Sequence, residues 1–142
     1  ENDIGPDSVI ALYVVAPVDS NLSGNQIYTA LTSLGFKLGD MDIFHHYGLG
    51  QLKSDRPLFS LANMYEPGYF DVKAMDTMST RGLSIFVCLP SQHNAEEVFA
   101  FMLEITRRLA KKLDALVLGP DRKELTQKTL DDIAAQLKQH ER

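Results

Sequence analysis

A single cysteine, Cys88, is all this 142-residue chain contains, so no disulfide can close within it. That fits a reducing compartment. Long apolar runs are missing as well: the longest nearly apolar stretches reach about eight residues, against the ~20 needed to cross a bilayer, so no segment of this piece spans a membrane. Basic residues are scarce in the first half. Residues 1 to 71 hold nine acidic and three basic side chains, whereas residues 72 to 142 hold ten and eleven. A net charge of -5 and a pI near 5.3 count against nucleic-acid binding, which calls for a basic face. P-loop and dinucleotide-binding fingerprints are also absent: Gly48 and Gly50 lie in a polar loop that no phosphate-binding helix follows.

What is present suits one globular domain. Hydrophobic residues make up 44% of the chain and charged residues 23%, which excludes disordered and collagen-like classes. A chain of this length buries about two-thirds of its unfolded surface and needs no metal or disulfide staple. Residues 1 to 7, with Gly5-Pro6, read as a flexible N-terminal arm, and residues 8 to 142 as a single domain. The start at Glu1 without a methionine points to a processed protein or an excised piece, with targeting or anchoring sequence outside it.

Hydrophobic spacing orders the elements. Residues 9 to 15 form a beta-branched strand that is apolar on both faces, with Ile10, Leu12 and Val14 on one and Val9, Ala11, Tyr13 and Val15 on the other. Ile27, Ala30, Leu31 and Leu34 predict a helix over 25–34, stopped by Gly35. Residues 36 to 44 predict a short extended segment broken at Gly39-Asp40, with Met41 and Ile43 on one side, and residues 45 to 57 an exposed loop. Residues 58–64 alternate as a strand, Glu66-Pro67-Gly68 turns the chain, 69–81 is weakly patterned, and 83–89 is another strand. Asn94 with Glu97 starts a helix over 95–113 whose stripe is Val98, Phe101, Met102, Ile105, Leu109 and Leu113. A strand at 115–118 and a helix over 127–139, capped by Thr126, complete the order.

Short links between the middle strands favour antiparallel pairing with helices on one face. That is an α+β two-layer sandwich of split β-α-β type. The second face then carries Val9, Ala11, Met41, Ile43, Ala62, Met64 and Phe86, mostly apolar where polar residues are expected. A contiguous apolar patch marks a binding surface, and one of Met, Ala and Phe suits an extended or helical peptide. Two other readings stay open: a sheet covered on both sides, or a small-ligand-binding or dimerising sensory domain that buries this face against a second copy.

Chemistry finds little support. His45 and His46 beside Asp40 and Asp42 are the one ligand-like cluster, but neighbouring strand residues point to opposite faces, so a surface or half-buried pair is expected, without metal. Cys88 with His93 lacks an orienting third group, and the carboxylates are scattered. Tyr13 and Phe86 could imitate the base-stacking platform of an RNA-recognition module, but their Met, Ala and acidic surroundings argue against it. The strip of Arg107, Arg108, Lys111 and Lys112 reads as a wet helix face. No enzyme, cofactor or metal is expected.

An ordered set of segments carries a resemblance: Leu34-Gly35-Phe36, Gly39-Asp40-Met41, Leu58 to Met64, Pro67-Gly68 with Phe70-Asp71, Gly82 with Ile85-Phe86, and Pro90-Ser91. In these the chain resembles the ZipA C-terminal domain family of bacterial cell-division proteins over nearly its whole length. The resemblance implies a six-stranded antiparallel sheet with three helices on one side. It also implies a shallow groove opposite, which takes the C-terminal tail of the tubulin-like protein FtsZ, and neither enzymatic activity nor cofactor. Family members are bitopic inner-membrane proteins with an N-terminal transmembrane anchor, a polar linker and this domain in the cytoplasm at the division site. Carried over by position, the groove comprises Val9 and Ala11 on the first strand, Met41 and Ile43 on the second, Ala62 and Met64 on the third, and Ser84 and Phe86 on the fourth. Phe86 becomes the floor, and Met41 and Met64 the adaptable walls. Glu66 stands where the family pattern carries a rim lysine, a change expected to act on association rate and salt dependence more than on core affinity.

Overall fold

The computed structural model describes residues 9–90 and 93–139; the N-terminal arm expected at 1–7 lies outside the described residues. Six strands form the main sheet: β1 (Val9–Val15), β3 (Lys37–Leu38), β4 (Phe44–His46), β5 (Phe59–Asn63), β7 (Gly82–Cys88) and β8 (Leu116–Leu118). Their spatial order is β3-β4-β5-β7-β1-β8, antiparallel at every pairing. A second ribbon pairs β2 (Leu22–Ser23) with β6 (Ser79–Thr80). Three helices complete the domain: α1 (Gly24–Ser33), α2 (Ala95–Leu113) and α3 (Gln127–Lys138). The α+β two-layer arrangement expected from the element order is the one observed.

Each helix begins where a side chain can satisfy a free backbone amide. Ser23 accepts from the Gln26 N–H, Asn94 from the Glu97 N–H and Thr126 from the Thr129 N–H. Gly35, at φ 96°, ends the α1 turn in the left-handed region that a residue with a Cβ avoids. Helix α2 packs against β1, β7 and β8, and both α1 and α3 pack against α2. The inward rows of the strands, including Leu12, Val14, Leu61, Leu83 and Ile85, are fully buried beneath this helical layer with Ile27, Leu31, Met102 and Leu109. Phe99 and Thr106 join the buried side of α2, whereas Phe101, expected within its stripe, is only half-buried.

Two expectations need correction. Met41 does not lie on a strand: it occupies a 3-10 turn, Asp40–Asp42, at φ 64°, and β4 starts only at Phe44. His45 and His46 belong to β4 rather than to an exposed loop, and both are buried, at 7% and 0% relative exposure. The polar composition of residues 45–57 conceals this because each imidazole satisfies its nitrogens inside the protein. The weakly patterned 69–81 stretch, for which the sequence predicts no element, is structured as well. It supplies β6 and buries Phe70, edge-on to Phe44 at 5.3 Å, together with Met75.

His46 knits the end of α1 to the sheet. Its Nε2–H donates to the Leu34 carbonyl (2.8 Å), and Nδ1 accepts from the Gly48 N–H (3.0 Å). Those partners fix the neutral tautomer. The ring stacks on Phe59 and meets Phe36 and Phe101 edge-on. Burial disfavours the charged imidazolium and lowers the pKa from 6.5; the hydrogen bond to Leu34 opposes the shift without cancelling it. The unfolded chain therefore binds a proton more readily than the native state. His46 contributes full stability above the unfolded value near 6.5, and loses it as pH falls toward the lowered native value. Urea unfolding should accordingly show lower stability at pH 5.5 than at 7.5. His46→Gln should cost about 2 kcal/mol or more at pH 7.5, through lost ring packing and orphaned backbone groups, and should shrink the difference between the two pH values.

Candidate functional site

Strand alternation leaves one sheet face outside the helical layer. The β1–β7 register pairs Ala11 with Phe86 and Tyr13 with Ser84, and the β5–β7 register pairs Ser60 with Phe86 and Ala62 with Ser84. With His45 opposite Ser60 and Leu118 opposite Tyr13, two rows cross the sheet on its outer side. One runs His45–Ser60–Phe86–Ala11, the other Ala62–Ser84–Tyr13–Leu118. Ala11, Tyr13, Ala62, Ser84 and Phe86 are each half-buried, and Val9 at the strand's start is exposed. A phenylalanine flanked by alanine and serine makes a shallow floor rather than an enclosed cavity.

The floor has boundaries. At the β4 side the Asp40–Asp42 turn is held by His45, whose Nε2–H donates to the Asp40 carbonyl (2.9 Å) while Nδ1 lies 2.7 Å from the Ser60 hydroxyl. Met41 stands out from this turn at 75% exposure, and Ile43 follows it half-buried. The turn is braced from outside by the Phe70 N–H, which donates to the Asp42 carbonyl (2.8 Å). Met64 lies one residue past the end of β5, and its N–H donates to the Gly82 carbonyl (3.1 Å). A Cβ at Gly82 would come within 3.0 Å of the Met64 sulfur, so the absence of a side chain there lets the thioether settle against β7. On the β1 side, the Arg122 guanidinium carbon sits 4.9 Å from the centre of the Tyr13 ring.

Of the residues expected to line the groove, Val9, Ala11, Ala62, Ser84 and Phe86 share the open face in register. Met41, Ile43 and Met64 stand at its margins rather than within strands. Glu66 is exposed in the turn beyond Met64. Sequence reasoning missed two boundary residues. The role of His45 leaves no trace in hydrophobic spacing, because its partners are a backbone carbonyl and a serine fifteen residues away. Arg122 was visible only as one charge in a Gly-Pro turn.

Elsewhere the surface offers little chemistry. No group of three His, Cys, Asp or Glu side chains among the described residues is placed to hold a metal ion. Cys88 is exposed at the end of β7, opposite Val9. Arg107, Arg108, Lys111 and Lys112 are all exposed on α2, with Arg108 paired to Glu104 at 2.7 Å, as a wet helix face requires. No helix among the described residues is long and apolar enough to cross a membrane.

Comparison with known proteins gives the family. A family model described as "ZipA, C-terminal FtsZ-binding domain" matches residues 8–136. The chain belongs to that family. It is 41% identical over 128 residues to the cell division protein ZipA of Hamiltonella defensa subsp. Acyrthosiphon pisum, covering 89% of this chain and 46% of that protein. It is 38% identical over 133 residues to ZipA of Shewanella denitrificans, covering 94% and 39%. The chain thus spans less than half the length of these ZipA relatives.

The His45 bracket has a measurable consequence. His45→Ala should leave the domain folded but free the Asp40–Asp42 turn from Ser60. Amide exchange should accelerate several-fold at Asp42, bonded to the Gly39 carbonyl, and at Phe70, while amides of β7 keep wild-type protection. Unchanged exchange at those two amides would show that the turn holds itself.

Proposed function

We propose that this domain is a non-enzymatic peptide-recognition module that binds the C-terminal tail of FtsZ across the open face of its sheet. The observation that carries the reading is the row of half-exposed Ala11, Phe86 and their neighbours on a face that none of the described helices covers. Membership of a family described as FtsZ-binding supplies the partner. Phe86 provides the flat aromatic surface on which a tail side chain loses its water, while Ala11 and Ala62 keep the floor low enough for a backbone to approach. Met41 and Met64 flank that floor with unbranched, polarisable chains that adjust to the ligand. Val9, Ile43 and Ser84 complete the contact, and Glu66 tunes association from the rim.

The larger role follows from the same partner. A full-length protein anchored by an N-terminal transmembrane segment outside this chain would tether division filaments to the bacterial inner membrane, with this domain on the cytoplasmic side. The domain itself makes no membrane contact in this reading and uses no nucleic acid or cofactor.

A titration with a synthetic peptide of the same organism's FtsZ tail, followed by amide chemical shifts, tests the face and the partner together. Saturable shifts at Ala11, Met64 and Phe86 are expected. Phe86→Ala should weaken binding by about 2 kcal/mol or more, some thirtyfold, without unfolding the domain. No shifts at millimolar peptide would overturn the reading. If light scattering then showed a dimer, the apolar face would instead be buried between copies.

A further inference from the structure

The β1 margin of the groove carries a charge whose role the apolar floor does not explain. Arg122 lies in the turn that follows β8, in the left-handed region at φ 63°. Two backbone hydrogen bonds close that turn, Gly119 N–H to the Lys123 carbonyl and Arg122 N–H to the Gly119 carbonyl, both 2.8 Å. A bridge between Leu118 and Glu124 continues the pairing beside β8. The turn thus fixes the guanidinium over the Tyr13 ring, which belongs to the open face. Asp121, its neighbour in sequence, accepts from the Lys123 N–H (3.0 Å). The ion pairs found among the described residues, Arg108–Glu104 and Lys128–Asp132, both lie on helices. Arg122 therefore combines a fixed position on an aromatic ring with hydrogen-bond donors that no described carboxylate occupies.

The opposite margin is mostly acidic, with exposed Lys37, opposite His45 in register, as a cation on the same face. Asp40 and Asp42 flank Met41 in the turn before β4, and Glu66 follows β5; all three are exposed. Between β5 and β1 lies one strand, β7, so the two margins are separated by about 10 Å or more of sheet. A peptide crossing this face meets mainly acidic groups at one side and, at the other, a guanidinium over Tyr13 with Asp121 and Glu124 exposed in the same turn.

We propose that Arg122, stacked on Tyr13, is the anion-reading end of the groove: its guanidinium takes a carboxylate of the bound peptide and fixes the direction in which the peptide lies. That role rests on the peptide-binding reading of the same face. A guanidinium held by stacking is pre-organised for a carboxylate, and it loses less freedom on binding than a lysine would. Repulsion by Asp40, Asp42 and Glu66, offset in part by Lys37, disfavours the reversed orientation, so attraction and exclusion act together.

The test is a fluorescence-anisotropy titration with the FtsZ tail peptide at 50 and 500 mM salt, using wild type, Arg122→Gln and Phe86→Ala. Each acidic residue of the peptide is also replaced in turn by its amide. Thermal unfolding confirms that each variant is folded. Arg122→Gln should weaken binding about three- to tenfold at 50 mM salt and flatten the salt dependence. One peptide substitution should cost wild type a similar factor and cost Arg122→Gln nothing further, as a double-mutant cycle requires. If Arg122→Gln kept wild-type affinity and salt dependence while Phe86→Ala lost binding, the groove would stand and the role of Arg122 would fall. No saturable binding by wild type would overturn the peptide reading and the role of Arg122 with it.

Discussion

Seven consecutive pairs between β1 and β7, from Val9–Cys88 to Val15–Gly82, hold the register on which the rest of the domain depends. Strand side chains alternate with a period of two, so a slip of one residue would turn Leu12, Val14, Leu83 and Ile85 outward and drive Tyr13 and Phe86 under the helices. The fully buried aliphatic row makes that exchange prohibitive, because each such side chain contributes about 1.5–3 kcal/mol by leaving water. The open face is thus positioned by residues that lie on the opposite side of the sheet. Core packing chooses which side of the strand faces in, and the opposite row follows by geometry.

That dependence explains which features could be read from the sequence. The long central strands and the helix over Ala95–Leu113 announce themselves through many repeats of one period, and Asn94 with Glu97 marks the helix start within a residue. The open face was legible for the same reason: a strand apolar on both sides, opposite a single helical layer, has apolar groups left over. What failed were short elements closed by single polar contacts. β4 has three residues, too few for periodicity to distinguish strand from loop, and two of them are histidines. Met41 in a left-handed turn is equally hidden, because hydrophobicity suggested a strand where the backbone required a corner. Phe70 and Met75 reach the core from irregular chain whose only clue was their apolarity.

The two histidines show how one short strand serves both layers. His46 faces the helices and ties Leu34 at the end of α1 to the loop at Gly48, with aromatic rings on three sides. His45 faces the open side and ties the Met41 turn to β5. Neither role needs a charge. Each imidazole joins two polar groups on separate segments, which an aliphatic residue of similar size could not do without leaving those groups unpaired. An interior fixed by such contacts is more specific than one fixed by oil-like packing alone, because each ring satisfies its partners in one orientation.

Apolar burial and charge divide the work at the groove. The floor of alanine, serine and phenylalanine can desolvate many side chains, and a shallow surface of that kind discriminates poorly among peptides of similar hydrophobicity. Exposed charges contribute less to affinity, but their balance differs between the two margins, and in the proposed reading that difference distinguishes one end of a peptide from the other. In that reading, a partner with its acidic and apolar residues in the matching order satisfies both requirements at once. The first half of the chain, poor in basic residues, builds the mostly acidic margin with Lys37 at its edge, while Arg122 comes from the last turn before α3. Distant segments must therefore fold together before the two margins face each other across the sheet.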